Sequence, residues 1–342
     1  MGQVDLGEID AVADGLFAAD ASHGVSLALV VMHRGEVVAE RYGIHPATPL
    51  EPERAITAET ALISWSMAKS VTHAAVGLLV GDGLLDPLAP APVAEWAGTD
   101  RSAITLLDLL EMRSGLAFVE DYVDGSISDC IEMLFGSGAD DVAGYAAALP
   151  LEHQPGTFWN YSSGTTNIIA RIVGDAVGGR DQMEALLRDR LFGPAGMTSA
   201  VPRFDAAGTF IGSSFVDATA HDFARFGELY RNDGVAADGT RVLPAGWRDH
   251  AATYVATDGD SGFEYGRHWW RWADLPGSYA CHGYEGQYTL VVPDRELVLV
   301  HLGKSPEEHR KPLHAAMRRI VAAVPPGIAQ AGHCSAEGAG FD

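Results

Sequence analysis

Two apolar hairpins at opposite ends of the chain constrain its fold more than any other feature. Residues 26–43, SLALVVMHRGEVVAERYG, set two apolar runs around Arg34-Gly35, and residues 287–303, QYTLVVPDRELVLVHLG, set two more around Asp294-Arg295. Each pair reads as an antiparallel β-hairpin. Outside them lie two helical patterns. One covers residues 5–20, with Leu6, Ile9, Val12, Leu16 and Phe17 on one face; the other covers 306–323 and opens at Pro306. The simplest arrangement joins the β-rich ends in one antiparallel sheet flanked by terminal helices, an α/β (α+β) fold. The residues between are mostly helical and form a second lobe. The expected division is a discontinuous sheet lobe over 1–65 and 205–325, a helical lobe over 66–204, and a loose Gly- and Ala-rich tail over 326–342.

Within the helical stretch, residues 66–81 are apolar and Ala-rich, and Gly81 and Gly83 end the pattern. Thr105 is a candidate N-cap for LLDLLEMRSG, with Asp108 three residues on as a capping-box variant. Residues 164–177, 180–193 and 219–231 also read as helices, the last with Thr219 as N-cap. Residues 44–60 carry Pro46, Pro49 and Pro52 and read as a loop.

Charge and cysteine usage exclude several function classes. Asp and Glu number 46 against 23 Lys and Arg, a formal charge of -23, and such a surface repels phosphate backbones. No nucleic-acid partner is expected. Cys130, Cys281 and Cys334 are widely spaced and odd in number, which argues against a disulfide framework or a zinc site. The 13 histidines form no HExxH or HxH, and neither GxSxG nor GxxxxGK[ST] occurs. No apolar run reaches the roughly 18 residues of a membrane span. The acidic start of the chain lacks a basic region before an apolar one. The expectation is a cytoplasmic protein with no metal, cofactor or membrane partner.

Three short segments carry chemistry. Ser66-Met67-Ala68-Lys69 opens the helix over 66–81, and positions i and i+3 share one helical face. The serine hydroxyl and lysine amine can therefore meet. Burial at a helix N-terminus lowers a lysine's pKa, and neutral Lys69 could then take the Ser66 proton. A Ser N-cap with an exposed lysine is the plainer alternative, but Trp65, Met67, Ala68 and Val71 make this helix start apolar. Tyr161-Ser162-Ser163 follows a Pro155-Gly156 turn, and its phenol could relay a proton or simply pack in the core. His282-Gly283-Tyr284 precedes an apolar strand. An edge strand there could give the Tyr284 N–H as a second oxyanion donor beside that of Ser66.

In this order and spacing the segments resemble the serine β-lactamase and penicillin-recognising superfamily, in its class C-like esterase and amidase branch. SMAKS matches the SxxK motif, YSS the YxN motif, and HGY stands where KTG is found. ITLLDLLEMRSGL and TAHDFARFGELYRNDG resemble two further family segments, and the likeness runs from about residue 25 to 322. EDYVD, FWNYSSGTTNIIA and HGYEGQY are similar to the 6-aminohexanoate-dimer (nylon-oligomer) hydrolases. The resemblance implies Ser66 as acylated nucleophile, Lys69 as base, Tyr161 as proton relay, and the Ser66 and Tyr284 amides as oxyanion hole. It implies that Tyr122 closes over substrate. Ser163 replaces the Asn of YxN, and His282 replaces the Lys of KTG, removing a cation that anchors β-lactam carboxylates. Weak or absent β-lactam hydrolysis follows. Glu120, Asp121, Asp124 and Asp129 around Tyr122 suggest instead a substrate ammonium. The implied activity is hydrolysis of a small amide or ester. An esterase, a D-amino-acid peptidase or a catalytically inactive binding relative are the alternatives.

Overall fold

The structure is a computed structural model that describes residues 2–20, 22, 24–49, 52–122 and 128–327. Asp124, Cys334 and the tail beyond residue 327 lie outside the described residues. The two hairpins do join in one sheet. Strands β1 (Val25–His33) and β2 (Glu36–Tyr42) form the first; β7 (Gln287–Val292) and β8 (Leu297–Lys304) form the second. β1 pairs with β8 from Val25↔Lys304 to His33↔Leu297. The sheet extends past β7 through β6 (Tyr279–Gly283) and three two-residue strands, β5 (Trp270–Arg271), β4 (Glu264–Tyr265) and β3 (Ala256–Thr257). Its order is β2-β1-β8-β7-β6-β5-β4-β3, and every pairing is antiparallel.

Alternation along these strands feeds two cores. Leu29, Val31, Leu297 and Leu299 pack under the terminal helices α1 (Leu6–Phe17) and α6 (Arg310–Ala323), against Ile9, Val12, Met317 and Ile320. Val30, Val298, Val300 and Leu302 face the other way, into a core shared with the middle of the chain. There α2 (Ala68–Gly81) is buried on all sides from Ala68 to Leu79, the state of a helix that is apolar all round. Beside it lie α3 (Asp129–Phe135), α4 (Ser163–Val177) and α5 (Ala220–Arg231). Thr105 and Asp108 form a complete capping box, and Thr219 caps α5 by accepting from the Asp222 N–H.

Several boundaries differ from expectation. The first helix ends at Phe17, three residues short. The last begins at Arg310, after a 3-10 turn over Glu307–His309 that occupies the residues following Pro306. Residues 180–193 divide into an α-turn, Arg180–Ala185, and a wide π-type turn, Leu186–Phe192. The loop over 44–60 contains a two-stranded ribbon, Ile44–His45 with Arg54–Ala55. β6 is not an edge strand, since β7 and β5 flank it. β5 reaches only Trp270↔Ala280, however, so the Gly283 end of β6 runs on unpaired on that side.

Candidate active site

The turn that carries Ser66 is pinned from behind. Leu62–Ile63 pairs with Val216–Ala218, and the next residue, Ser64, is fully buried. Ser64 donates its N–H to the Val216 carbonyl at 2.8 Å, and its Oγ accepts the Val216 N–H at 3.0 Å. Trp65 then takes a left-handed φ of 44°, which costs a bulky residue on the order of 1–3 kcal/mol and is tolerated where the surroundings over-determine it. Here Phe215 and Tyr284 hold the indole, with ring centroids at 5.8 and 5.9 Å. Trp65–Met67 form a 3-10 turn that runs into α2. Ser66 thus sits at the start of a helical segment, where backbone N–H groups have no acceptor within the helix.

Lys69 lies one turn on and is 2 % exposed. Its Nζ is 3.0 Å from Ser66 Oγ, 2.9 Å from Ser163 Oγ and 3.0 Å from the Ser213 carbonyl. The directions of two of these bonds are fixed by the partners. A carbonyl can only accept, and Ser163 Oγ donates its own proton to Glu120 Oε1 at 2.6 Å, so it too accepts from Lys69. A neutral Lys69 has then committed both hydrogens, and its lone pair points at Ser66. Burial lowers the lysine pKa and favours that neutral form, while the Glu120 charge opposes the shift.

Tyr161 is half-buried beside the pair, with Lys69 Nζ 4.9 Å from its ring centroid. Burial, reinforced by Glu120, pushes its phenol pKa well up, and hydrogen bonds to Ser66 and Trp270 only partly offset this. The group is therefore a protonated phenol placed to pass a proton on. Its walls are aromatic: Tyr265 and Trp270 lie at 5.7 and 5.3 Å.

Tyr284 opens a 3-10 turn just past β6, so its N–H also lacks an acceptor within the turn. Its neighbour Gly283 runs so close to the Ser66 turn that a Cβ there would lie 2.4 Å from the Ser64 carbonyl. Ser66, Ser163, Tyr122 and Tyr284 border one cavity of about 230 Å³. The Tyr122 hydroxyl donates to Glu120, and its ring lies 5.3 Å from that of Tyr284.

His282 goes elsewhere. It does not border this cavity; it stacks on Trp270 at 5.1 Å and accepts the Trp272 N–H at 2.9 Å. Burial holds its pKa well below the ordinary value, so it supplies no cation where KTG has its lysine. Two of the four acids expected to meet a substrate ammonium, Glu120 and Asp129, are engaged within the protein. Glu120 accepts from Ser163 N–H, Ser163 Oγ and Tyr122; Asp129 accepts from Val119 N–H and the Tyr145 hydroxyl.

Sequence reasoning missed Ser64, Trp65, Glu120, Ser213 and Trp270 as parts of this site. Glu120 was visible within EDYVD as an acid, but nothing in the order of residues showed that it would cap α4 and set the direction of the Ser163 hydrogen bond. Among the described residues, no group of three or more His, Cys, Asp or Glu is placed to hold a metal ion. No helix among them is long and apolar enough to cross a membrane.

A Ser–Lys–Tyr cluster between an antiparallel sheet and a helical region defines a serine hydrolase of the β-lactamase fold. Residues 11–323 match the family model described as Beta-lactamase, and the chain belongs to that family. It is 28% identical over 317 residues to a 6-aminohexanoate-dimer hydrolase of Paenarthrobacter ureafaciens, spanning 86% of this chain and 76% of the relative. It is also 28% identical over 313 residues to penicillin-binding protein 4 of Amycolatopsis lactamdurans, spanning 80% and 75%. Among solved structures it resembles a putative 6-aminohexanoate-dimer hydrolase from Bacillus anthracis, with a TM-score of 0.72 at 21% identity over 87% of this chain and 78% of that one. A family VIII carboxylesterase gives 0.68 at 16% identity over 94% and 98%.

Proposed function

We propose that this protein hydrolyses a linear amide or ester through an acyl-Ser66 intermediate, as an amidase resembling the 6-aminohexanoate-dimer hydrolases. The observation that carries the reading is the Lys69 hydrogen-bond set. In the neutral amine, with both hydrogens committed to Ser163 Oγ and the Ser213 carbonyl, the remaining lone pair faces Ser66 Oγ, 3.0 Å away. Lys69 takes the Ser66 proton as Oγ attacks the substrate carbonyl. The developing oxyanion lies between the N–H groups of Ser66 and Tyr284. The Tyr161 hydroxyl, whose pKa feels the Ser66 side chain, passes a proton to the departing amine or alcohol and is refilled from Lys69. Water then attacks the acyl carbonyl, with the same lysine as base.

The test is a panel of p-nitrophenyl esters and linear anilides assayed with wild type, Ser66→Ala and Lys69→Arg. Ser66→Ala should lose turnover by at least a thousandfold while keeping its melting temperature. Lys69→Arg should fail alike, because a guanidinium does not deprotonate at working pH. Arg activity within tenfold of wild type would remove Lys69 as the base. A chromogenic cephalosporin should lag behind the esters, since neutral His282 offers its carboxylate no ionic anchor.

A further inference from the structure

We propose that the cavity beside Ser66 is an acyl pocket for an uncharged, apolar chain of about six carbons, selected chiefly by Ile131 and Phe135 of α3. The inference rests on the acyl-Ser66 reading and names the substrate class of that site.

The side of the site is fixed by geometry. The oxyanion donors, Ser66 and Tyr284, both border the cavity, whereas Tyr161 does not. Tyr161 instead stands among Tyr265 and Trp270, where the leaving group must receive its proton. A carbonyl held by the two amides with its leaving group toward Tyr161 directs its remaining substituent into the cavity. That substituent is the acyl chain.

The chemistry of the pocket follows from its walls. Trp65, Ile131, Leu134 and Phe135 line it, together with the rings of Tyr122 and Tyr284. Phe135 and Ile131 are 63% and 41% exposed and lie one helical turn apart, so together they present one apolar patch beside the cavity. Phe135 extends the apolar wall to Phe215, 6.1 Å away and itself against Trp65. The volume of about 230 Å³ exceeds the roughly 150 Å³ of an apolar cavity that takes up benzene, so a six-carbon acyl chain fits.

Among the described residues no Asp, Glu, Lys or Arg borders the cavity. The nearby acids Glu120 and Asp129 spend their oxygens on protein donors, and Glu132 accepts from Ser137. Arg310 lies over the Tyr284 ring at 5.7 Å without bordering the cavity. A charged chain end would find no ionic partner among the described residues that border the cavity, and would lose hydration against an apolar wall.

The test compares kcat/KM for p-nitrophenyl acetate, hexanoate, 6-ammoniohexanoate and the half-ester of adipate. The hexanoate should exceed the acetate at least tenfold, and each charged-end ester should fall at least tenfold below the hexanoate. Phe135→Asp should shrink the hexanoate-to-acetate ratio and raise the ammonium ester relative to the hexanoate. Its wild-type side chain is largely exposed, so the fold should tolerate it. An ammonium or carboxylate ester that equals the hexanoate, or ratios unchanged by Phe135→Asp, would overturn the proposal. Turnover that survives Ser66→Ala would instead sink the acyl-enzyme reading, while the chain-end ratios still report on the pocket. If no ester is cleaved, calorimetric binding of hexananilide and its 6-ammonio analogue to Ser66→Ala protein decides. Binding of the ammonium compound as tight as the neutral one would overturn the pocket.

Discussion

Glu120 shows how much of the site depends on a single hydrogen-bond direction. As a carboxylate it can only accept, so Ser163 must donate to it and accept from Lys69. A Glu120→Gln variant removes the charge that raises the Lys69 pKa, leaving the lowering by burial less opposed. The base is then neutral at lower pH, so the acid limb of the kcat/KM profile should move to lower pH. The plateau should also fall by about ten- to a hundredfold, since Gln can donate to Ser163 and reverse the bond, at a cost on the order of 1–3 kcal/mol. A pH–rate profile checks both; a limb that stays or moves upward would show that Glu120 does not tune the lysine. Ser66, Lys69 and Tyr161 were legible in the sequence because SxxK is a local spacing on one helical face and the segments kept a family order. Glu120 was not, because its partner Ser163 lies 43 residues on and meets it only after α4 docks. His282 was placed by motif alignment, but the pleat turns its ring toward Trp270 and Trp272.

At the scale of elements, the close approach of β6 to the Ser66 turn holds the two oxyanion donors in register. Gly283→Ala would set a Cβ 2.4 Å from the Ser64 carbonyl, a backbone atom that cannot swing aside. Either the end of β6 or the nucleophile's turn must shift. Overpacking of this kind costs about 1–3 kcal/mol. A displacement near 1 Å in a catalytic geometry costs on the order of a hundredfold in rate. Gly77→Ala is the control. Its Cβ would lie 2.4 Å from Trp247 Nε1, two turns down α2 from Lys69. Both variants should melt several degrees lower. Only Gly283→Ala should lose kcat by a hundredfold when assayed well below its melting temperature. Equal kcat values for the two would show that β6 does not position the site. The long hairpins and terminal helices were readable because their strands run six to nine residues around a turn signal and their helices twelve to fourteen. The strands β3, β4 and β5 were not, because two residues carry no period, and the π-type turn at Leu186–Phe192 keeps a helical composition.

Across the whole molecule, the feature most exposed to pH is a set of buried neutral histidines. His73 bonds Tyr230 at 2.8 Å and His250 at 3.0 Å; His268 bonds Thr166 and the Leu110 carbonyl; His301 bonds Ser26 and the Gly286 carbonyl. Burial brings His250 and His268 down to about 3 and His301 and His314 to about 4, and it holds His73 and His282 well below 6.5. The sign follows from linkage. In the unfolded chain these side chains take up protons below about pH 6.5, whereas the folded chain refuses them until far lower pH. Stability is therefore unaffected above pH 7 and falls as pH drops through 6.5. At pH 5.5 each fully buried group of this kind, such as His268 or His301, costs about 1.4 kcal/mol, a sizeable part of a domain's stability. The carboxylates whose pKa values are lowered by ion pairs, such as Asp82 and Asp274, weaken only near or below their ordinary values around 4. Protonation of the acidic surface acts in the opposite direction by relieving the repulsion of a chain at -23, but it too sets in mainly below pH 5. Between pH 7 and 5.5 the histidines therefore act almost alone. Thermal denaturation across that interval should show a falling melting temperature, with several protons taken up on unfolding. His250→Gln should reduce that uptake by about one proton while lowering stability at pH 8. A melting temperature that stays flat from pH 7 to 5.5 would mean that the buried histidines are already protonated or solvated in the folded protein.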